Sequence, residues 1–277
     1  MKTTDRFALW CGGRMKTASF TLLFLTALGA AMGSGRAESV SLPKTAPMPE
    51  MRPSEAPEPS GSKPRFPALL PISNEDADAA DRLCKAVLAT NKVIAEPARA
   101  AMWDNGCGAI GQITISAIKL KDGGEVLLRP SALIRCETAE VFADWVREDL
   151  APAAAAYGGL ARIDVAASYH CRPRNNLRGA RLSEHGRANA IDIRAIATGD
   201  GRLFGVDLPE TPIKLLNEMR RSSCARFTTV LGPGSDGFHE DHFHLDLAQR
   251  RGGYRLCQWN LPTPPDPEER PLHADRP

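Results

Sequence analysis

Hydrophobic residues recur along the middle of this chain in two rhythms, one helical and one alternating. "ADAADRLCKAVLATN" has helical spacing, and Ser73 with Asp76 forms a capping box in front of it. "QITISAIKL" and "EVLLRP" flank "KDGG", which predicts a hairpin. In "TAEVFADWVREDLAPAAAAYG", Val141, Phe142, Trp145 and Leu150 fall at helical intervals, and Pro152 bends or ends the element. "ARIDVAASY" predicts a strand, and "PIKLLNEMRRSS" a helix with Ile213, Leu216 and Met219 on one face. "NAIDIRA", "FTTVLG" and "HFHLDLA" predict further strands. Long helices come early and strands later, so the expected class is α+β, a central antiparallel sheet with flanking helices.

Outside this region the rhythm stops. Residues 38–72 are rich in Pro, Ser, Glu and Lys and predict an extended tether, and residues 259–277 predict a Pro-rich tail. Near the start, Arg14 and Lys16 precede an apolar run from Ala18 to about Met32, followed by "GSGRAES". The run is short for a membrane span and rich in small residues. It predicts a secretory signal over residues 1–37, cleaved after Ala37, with no stable membrane span afterwards and a periplasmic or secreted mature chain. The folded domain is expected over residues 73–258.

Composition narrows the function. A net charge of +2 and 6% aromatic residues argue against nucleic acid as a partner. Without Cys11, which leaves with the signal, six cysteines remain: Cys84, Cys107, Cys136, Cys171, Cys224 and Cys257. An even number in an exported chain predicts three disulfides. Short loop closure favours sequential pairing, 84 with 107, 136 with 171, and 224 with 257.

Candidate chemistry concentrates in two stretches, "SEHGRANAIDI" and "GFHEDHFHLDLA". On a strand, Ile191 and Ile193 take one face and Asp192 the other; likewise Phe243 and Leu245 oppose His242 and His244. His185 lies in the loop just before. A catalytic zinc takes about three protein ligands, and His185, Asp192 and one of His242 or His244 supply them. The remaining histidine and Asp241 then stand near the reacting water. Trp103, Trp145 and Trp259 are expected in the core or as clamps, and His170 and His273 as ordinary surface residues.

"SEHGRANAIDI" resembles the Ser-x-His, then Gly-x-Ala-x-Asp, motif of the superfamily of D-Ala-D-Ala peptidases, murein endopeptidases and hedgehog domains. The seven-position interval from His185 to Asp192 is kept, while the glycine is displaced to Gly186. "HFH" resembles the superfamily's His-x-His. "SYHCRPRN", "RLSEHGRANAIDI", "VLGPGSDGFHEDHFHLDLA" and the six cysteines together resemble the extensin-like C-terminal domain. The resemblance implies a hedgehog/DD-peptidase-like fold and a Zn2+ site of His185, Asp192 and His244. It implies His242 or Asp241 as base and Arg172 as the cation that stabilises the oxyanion. His239, Asp246 and Ser183 are then candidates for supporting the ligands. The implied activity is hydrolysis of peptide stems or cross-links in peptidoglycan. The alternatives are a wall-binding module that keeps the fold, with or without the metal, and has no turnover, and a purely structural disulfide domain.

Overall fold

The structure is a computed structural model that describes residues 67–261. The signal segment, the linker up to residue 66, Cys11, His273 and the tail beyond residue 261 lie outside the described residues. The first helix, α1 (Asn74–Ala89), starts as the pattern predicts: the Ser73 hydroxyl accepts the Asp76 amide and donates to its carboxylate. Pairing already begins inside the stretch read as linker, where Leu70 donates to Met102 and Asp104 to Ala68 through the backbone.

Short strands β1 (Val93–Ala98), β2 (Ala101–Met102) and β3 (Gly108–Ala109) follow α1. The predicted hairpin is β4 (Gln112–Lys119) and β5 (Glu125–Arg135). Its turn closes from Leu120 to Gly124, with Gly123 at φ +88°, a conformation that favours glycine. One long helical stretch comes next: α2 (Cys136–Trp145), a π-type turn (Val146–Leu150) and α3 (Ala151–Ala155). Pro152 therefore bends the helix rather than ending it, and the wider turn sits just ahead of it. The remaining elements are β6 (Leu160–Ala167), β7 (Ala190–Thr198), β8 (Leu203–Gly205), α4 (Ile213–Arg226), β9 (Thr229–Leu231), β10 (Phe243–Asp246) and β11 (Leu256–Gln258).

The main sheet runs β1-β4-β5-β6-β7-β10-β9-β11, with β8 also on β7. Most pairs are antiparallel; β5 with β6 and β9 with β11 are parallel. The fold is thus α+β on a mostly antiparallel sheet. Phe142, Trp145 and Leu150 from the long helix and Leu216 and Met219 from α4 meet Ile113, Ile163, Ile191 and Phe243 in one core. The buried indole of Trp145 donates to Ser222 on α4 at 3.0 Å, so its one polar atom is satisfied. Trp259, placed in the tail by its surroundings in sequence, is buried and stacks on Phe243 at 4.9 Å.

Three disulfides form, and two differ from the sequential pairing. Cys84 bonds Cys136, Cys107 bonds Cys171, and only the pair Cys224–Cys257 is as expected. Loop length fails as a guide because packing decides which cysteines meet. Helix α1 lies on α2, bringing Cys84 to Cys136 with Cα atoms 5.2 Å apart although β1 to β5 intervene in sequence.

Candidate metal centre

Strand β7 is buried along both faces, with only Arg194 exposed. Its register against β10 places Asp192 directly opposite His244, while Ile193 faces Phe243 and Ile191 faces Leu245. The alternation read from sequence is therefore real, but the polar face is covered rather than open. Asp192, His244 and His185 are 3%, 7% and 1% exposed, which makes their mutual contacts decisive.

His185 is delivered by a turn, Glu184–Arg187, that begins at Ser183. The Ser183 hydroxyl accepts the His185 amide at 3.3 Å. A Cβ at Gly186 would sit 2.7 Å from a methyl of Leu182, so any larger residue there would have to push that side chain aside. At Ala188, where the resembled motif carries glycine, the backbone keeps a left-handed φ of +52°. Such a φ costs alanine about 1 kcal/mol.

Three ligand-type atoms converge. His185 Nε2 lies 3.0 Å from Asp192 Oδ2 and 3.1 Å from His244 Nδ1, and His244 Nδ1 lies 2.9 Å from Asp192 Oδ1. The outward ring nitrogens are committed as donors. His185 Nδ1–H donates to the Ser168 carbonyl at 2.7 Å, and His244 Nε2–H donates to Asp246 Oδ2 at 2.9 Å. Asp246 in turn accepts the Thr229 hydroxyl and the Ala248 amide, and Arg250 donates to the Thr229 hydroxyl. With both rings neutral, two imidazole lone pairs and a carboxylate point at one another in a water-poor site. Such an arrangement needs a positive species, either a proton or a cation.

The electrostatics agree. Burial alone would raise the Asp192 carboxyl, but hydrogen bonds from His185 and His244 outweigh it and hold Asp192 well below the usual carboxylate range. In the protein by itself, burial opposes charge on His244, yet Asp192 and Asp246 push its imidazole up to about 10. The donor set fits zinc: two imidazoles and a carboxylate, each imidazole fixed by an outer partner. Separations of 2.9–3.1 Å fall a few tenths short of the roughly 3.3 Å edge of a tetrahedron with zinc bonds of about 2.0–2.1 Å, a gap small shifts close. His185, Asp192 and His244 are the grouping of metal-ligand type among the described residues.

The other candidates surround this cluster. His242 is half-buried, its Nε2 is 3.7 Å from Asp192 Oδ2, and its Nδ1 bonds Asp241 Oδ1 at 2.7 Å. Asp241 itself is exposed and stands behind His242, 4.0 Å from Arg194. His239 is buried, its Nδ1 bonds Asp236 Oδ1 at 2.6 Å, and its ring lies 5.1 Å from that of His242 and 5.7 Å from that of His244. Burial lowers the His239 pKa in spite of Asp236. Asp236, Ser168 and Thr229 were not singled out from sequence. Only Asp236, three residues before His239, left a signal there.

Two cavities, of about 280 and 320 Å³, flank the cluster and share Arg172, Asn175 and His239 as a common wall. Arg172 is half-buried, facing both. A roomier hollow of about 390 Å³ beside α1, lined by Leu83, Met102 and Arg187, has no histidine or cysteine in its wall.

An α+β, disulfide-bonded domain with a buried His/His/Asp cluster under a divided cleft is the class these features define. The chain belongs to the family described as extensin-like protein C-terminus, whose model matches residues 82–258, more than half of its length. No curated protein and no solved structure matches it.

Proposed function

We propose that this chain is an exported zinc-dependent hydrolase of peptide bonds in peptidoglycan, of endopeptidase or carboxypeptidase type, on a hedgehog/DD-peptidase-like fold. The observation that carries the reading is the convergence of His185 Nε2, His244 Nδ1 and Asp192, with both outer ring nitrogens already spent as donors. Three disulfides in a chain with a signal-like start support a periplasmic or secreted location.

Zinc held by these three side chains supplies a Lewis acid that makes water nucleophilic at neutral pH. The chain supplies the rest. His242 Nδ1–H donates to Asp241, which leaves Nε2, on the cluster side, as the proton acceptor. In this reading Asp241 orients His242 rather than acting as base, because it is exposed and lies behind that ring. Arg172, on the wall common to both cavities, places a cation where a carbonyl oxygen gains charge. Ser183, His239 and Asp246 hold the ligands and the cleft wall in place.

Metal analysis of the purified mature chain, followed by digestion of murein sacculi, tests the reading. About one zinc per chain and release of peptide fragments, with His242→Ala retaining zinc and losing release, is the expected result. Zinc without fragment release makes the chain a wall-binding module. Iron in place of zinc, which accepts the same two-imidazole, one-carboxylate set, overturns the metal assignment.

A further inference from the structure

The two cavities beside the cluster differ in which of their charged groups have partners. In the 320 Å³ cavity, Arg194 lies 4.0 Å from Asp241. The 280 Å³ cavity has Glu184, Asp236 and Asp246 in its wall, and each accepts hydrogen bonds from within the protein. Glu184 accepts Asn189 at 2.7 Å; Asp236 accepts His239 and Asn175 at 2.6 and 3.2 Å; Asp246 accepts His244 at 2.9 Å. Arg250 on the same wall is fixed by the Thr228 carbonyl and Thr229 hydroxyl. The guanidinium groups of Arg172 and Arg174 have no hydrogen-bond or ion-pair partner among the described residues, and both line this cavity. The turn that carries Arg174 is tied to the site, because Asn175 donates to the same Asp236 that holds His239.

Two guanidinium forks with free donors, the half-buried Arg172 and the exposed Arg174, therefore stand ready on this wall for an acceptor from outside. The planar fork matches a carboxylate in two-point fashion. We infer that the 280 Å³ cavity is a subsite for a carboxylate of the substrate peptide, received by Arg174 with Arg172; this rests on the peptide-hydrolase reading above. The volume lies just below the range of about 300–1,000 Å³ for small-molecule sites, which fits one or two residues rather than a long strand. The carboxylate therefore belongs to the residue at the cut bond or the next one. It comes either from the end of the peptide chain or from an acidic side chain.

Equilibrium binding to the full zinc-loaded chain tests this with three probes: N-acetyl-D-alanyl-D-alanine, its C-terminal amide, and N-acetyl-alanyl-glutamate diamide with the side-chain carboxylate free. One of the two acids should bind at least about tenfold tighter than the neutral amide, and which one identifies the source of the carboxylate. Arg174→Gln should remove most of that preference, Arg174→Lys should keep part of it, and affinity for the neutral amide should not change. The preference should also shrink as salt rises from about 0.05 to about 0.5 M. Equal binding of acid and amide by the wild type, a preference that survives Arg174→Gln, or no binding of any probe at about 10 mM each overturns the subsite. The readout needs no turnover, so an absence of murein hydrolysis beside an intact Arg174-dependent preference counts against the hydrolase reading alone.

Discussion

Strands β7 and β10 present two buried faces of opposite chemistry. On the helix side, Ile191, Ile193, Phe243 and Leu245 are fully buried, and Phe243 meets Trp145 edge-on at 6.1 Å. On the other side, Asp192 and His244 are nearly as well covered. The first face is held by volume and dispersion, so similar shapes can replace one another. The second is held atom by atom. Each polar group there has a named partner: Asp192 meets His185 and His244, His185 donates to Ser168, and His244 donates to Asp246, which is itself held by Thr229 and Ala248. Neighbouring residues on one strand therefore differ in what they tolerate, although their exposure is almost the same.

The strongest test of the contrast is to delete one residue from each face. His244→Ala and Asp192→Ala should each abolish zinc uptake, from about one ion per chain to nearly none by elemental analysis. Phe243→Ala should instead cost about 3–5 kcal/mol in denaturant unfolding while the folded fraction still takes up zinc. If Phe243→Ala loses the metal in a protein that is still folded, the two faces are not separable. Next in size, Asp246→Asn should weaken zinc binding by about 10–100-fold in chelator competition, since it fixes the His244 ring without touching the ion.

A pH series sharpens the same comparison. In the metal-free protein the His244 pKa is raised from 6.5 to about 10, against burial and by Asp192 and Asp246. A raised imidazole adds its full stability below 6.5 and loses it as pH climbs through about 10. Zinc competes with that proton, so zinc affinity should rise over the window in which metal-free stability falls. The difference in Tm between metal-free wild type and His244→Ala isolates the contribution; a gap that widens from pH 6.5 upward contradicts the assignment. The smallest effect belongs to the exposed Asp241. Asp241→Asn should change stability by no more than about 0.5 kcal/mol and leave zinc content intact, while slowing any murein digestion.

Much of the domain was legible in order of sequence. Ser73 and Asp76 marked the start of α1, "KDGG" marked the β4–β5 turn, and the spacing of Val141, Phe142, Trp145 and Leu150 marked the long helix. These signals are local, and local geometry decides them. Short loop closure found the Cys224–Cys257 pair but not the other two, because α1 packing on α2 decides that Cys84 meets Cys136. Ser168 and Thr229 were hidden for a related reason. A backbone carbonyl or a lone hydroxyl acquires meaning only when a distant ring is laid against it. Asp241 shows the reverse: its place beside His242 was visible, but that it stands behind the ring and not at the cluster was not.

Alternation along "AIDI" and "FHLD" was enough to turn Asp192 and His244 away from the core, because successive side chains on a strand point to opposite faces. It could not say that the two residues meet. That depends on the antiparallel register setting His244 opposite Asp192 and on the Ser183 turn swinging His185 over both. A slip of two residues in that pairing would keep both side chains on the polar face yet part them, and the alternation within either stretch does not forbid it. The register is chosen by Phe243 and Leu245 finding Ile193 and Ile191 beneath the helices, a contact between segments some fifty positions apart.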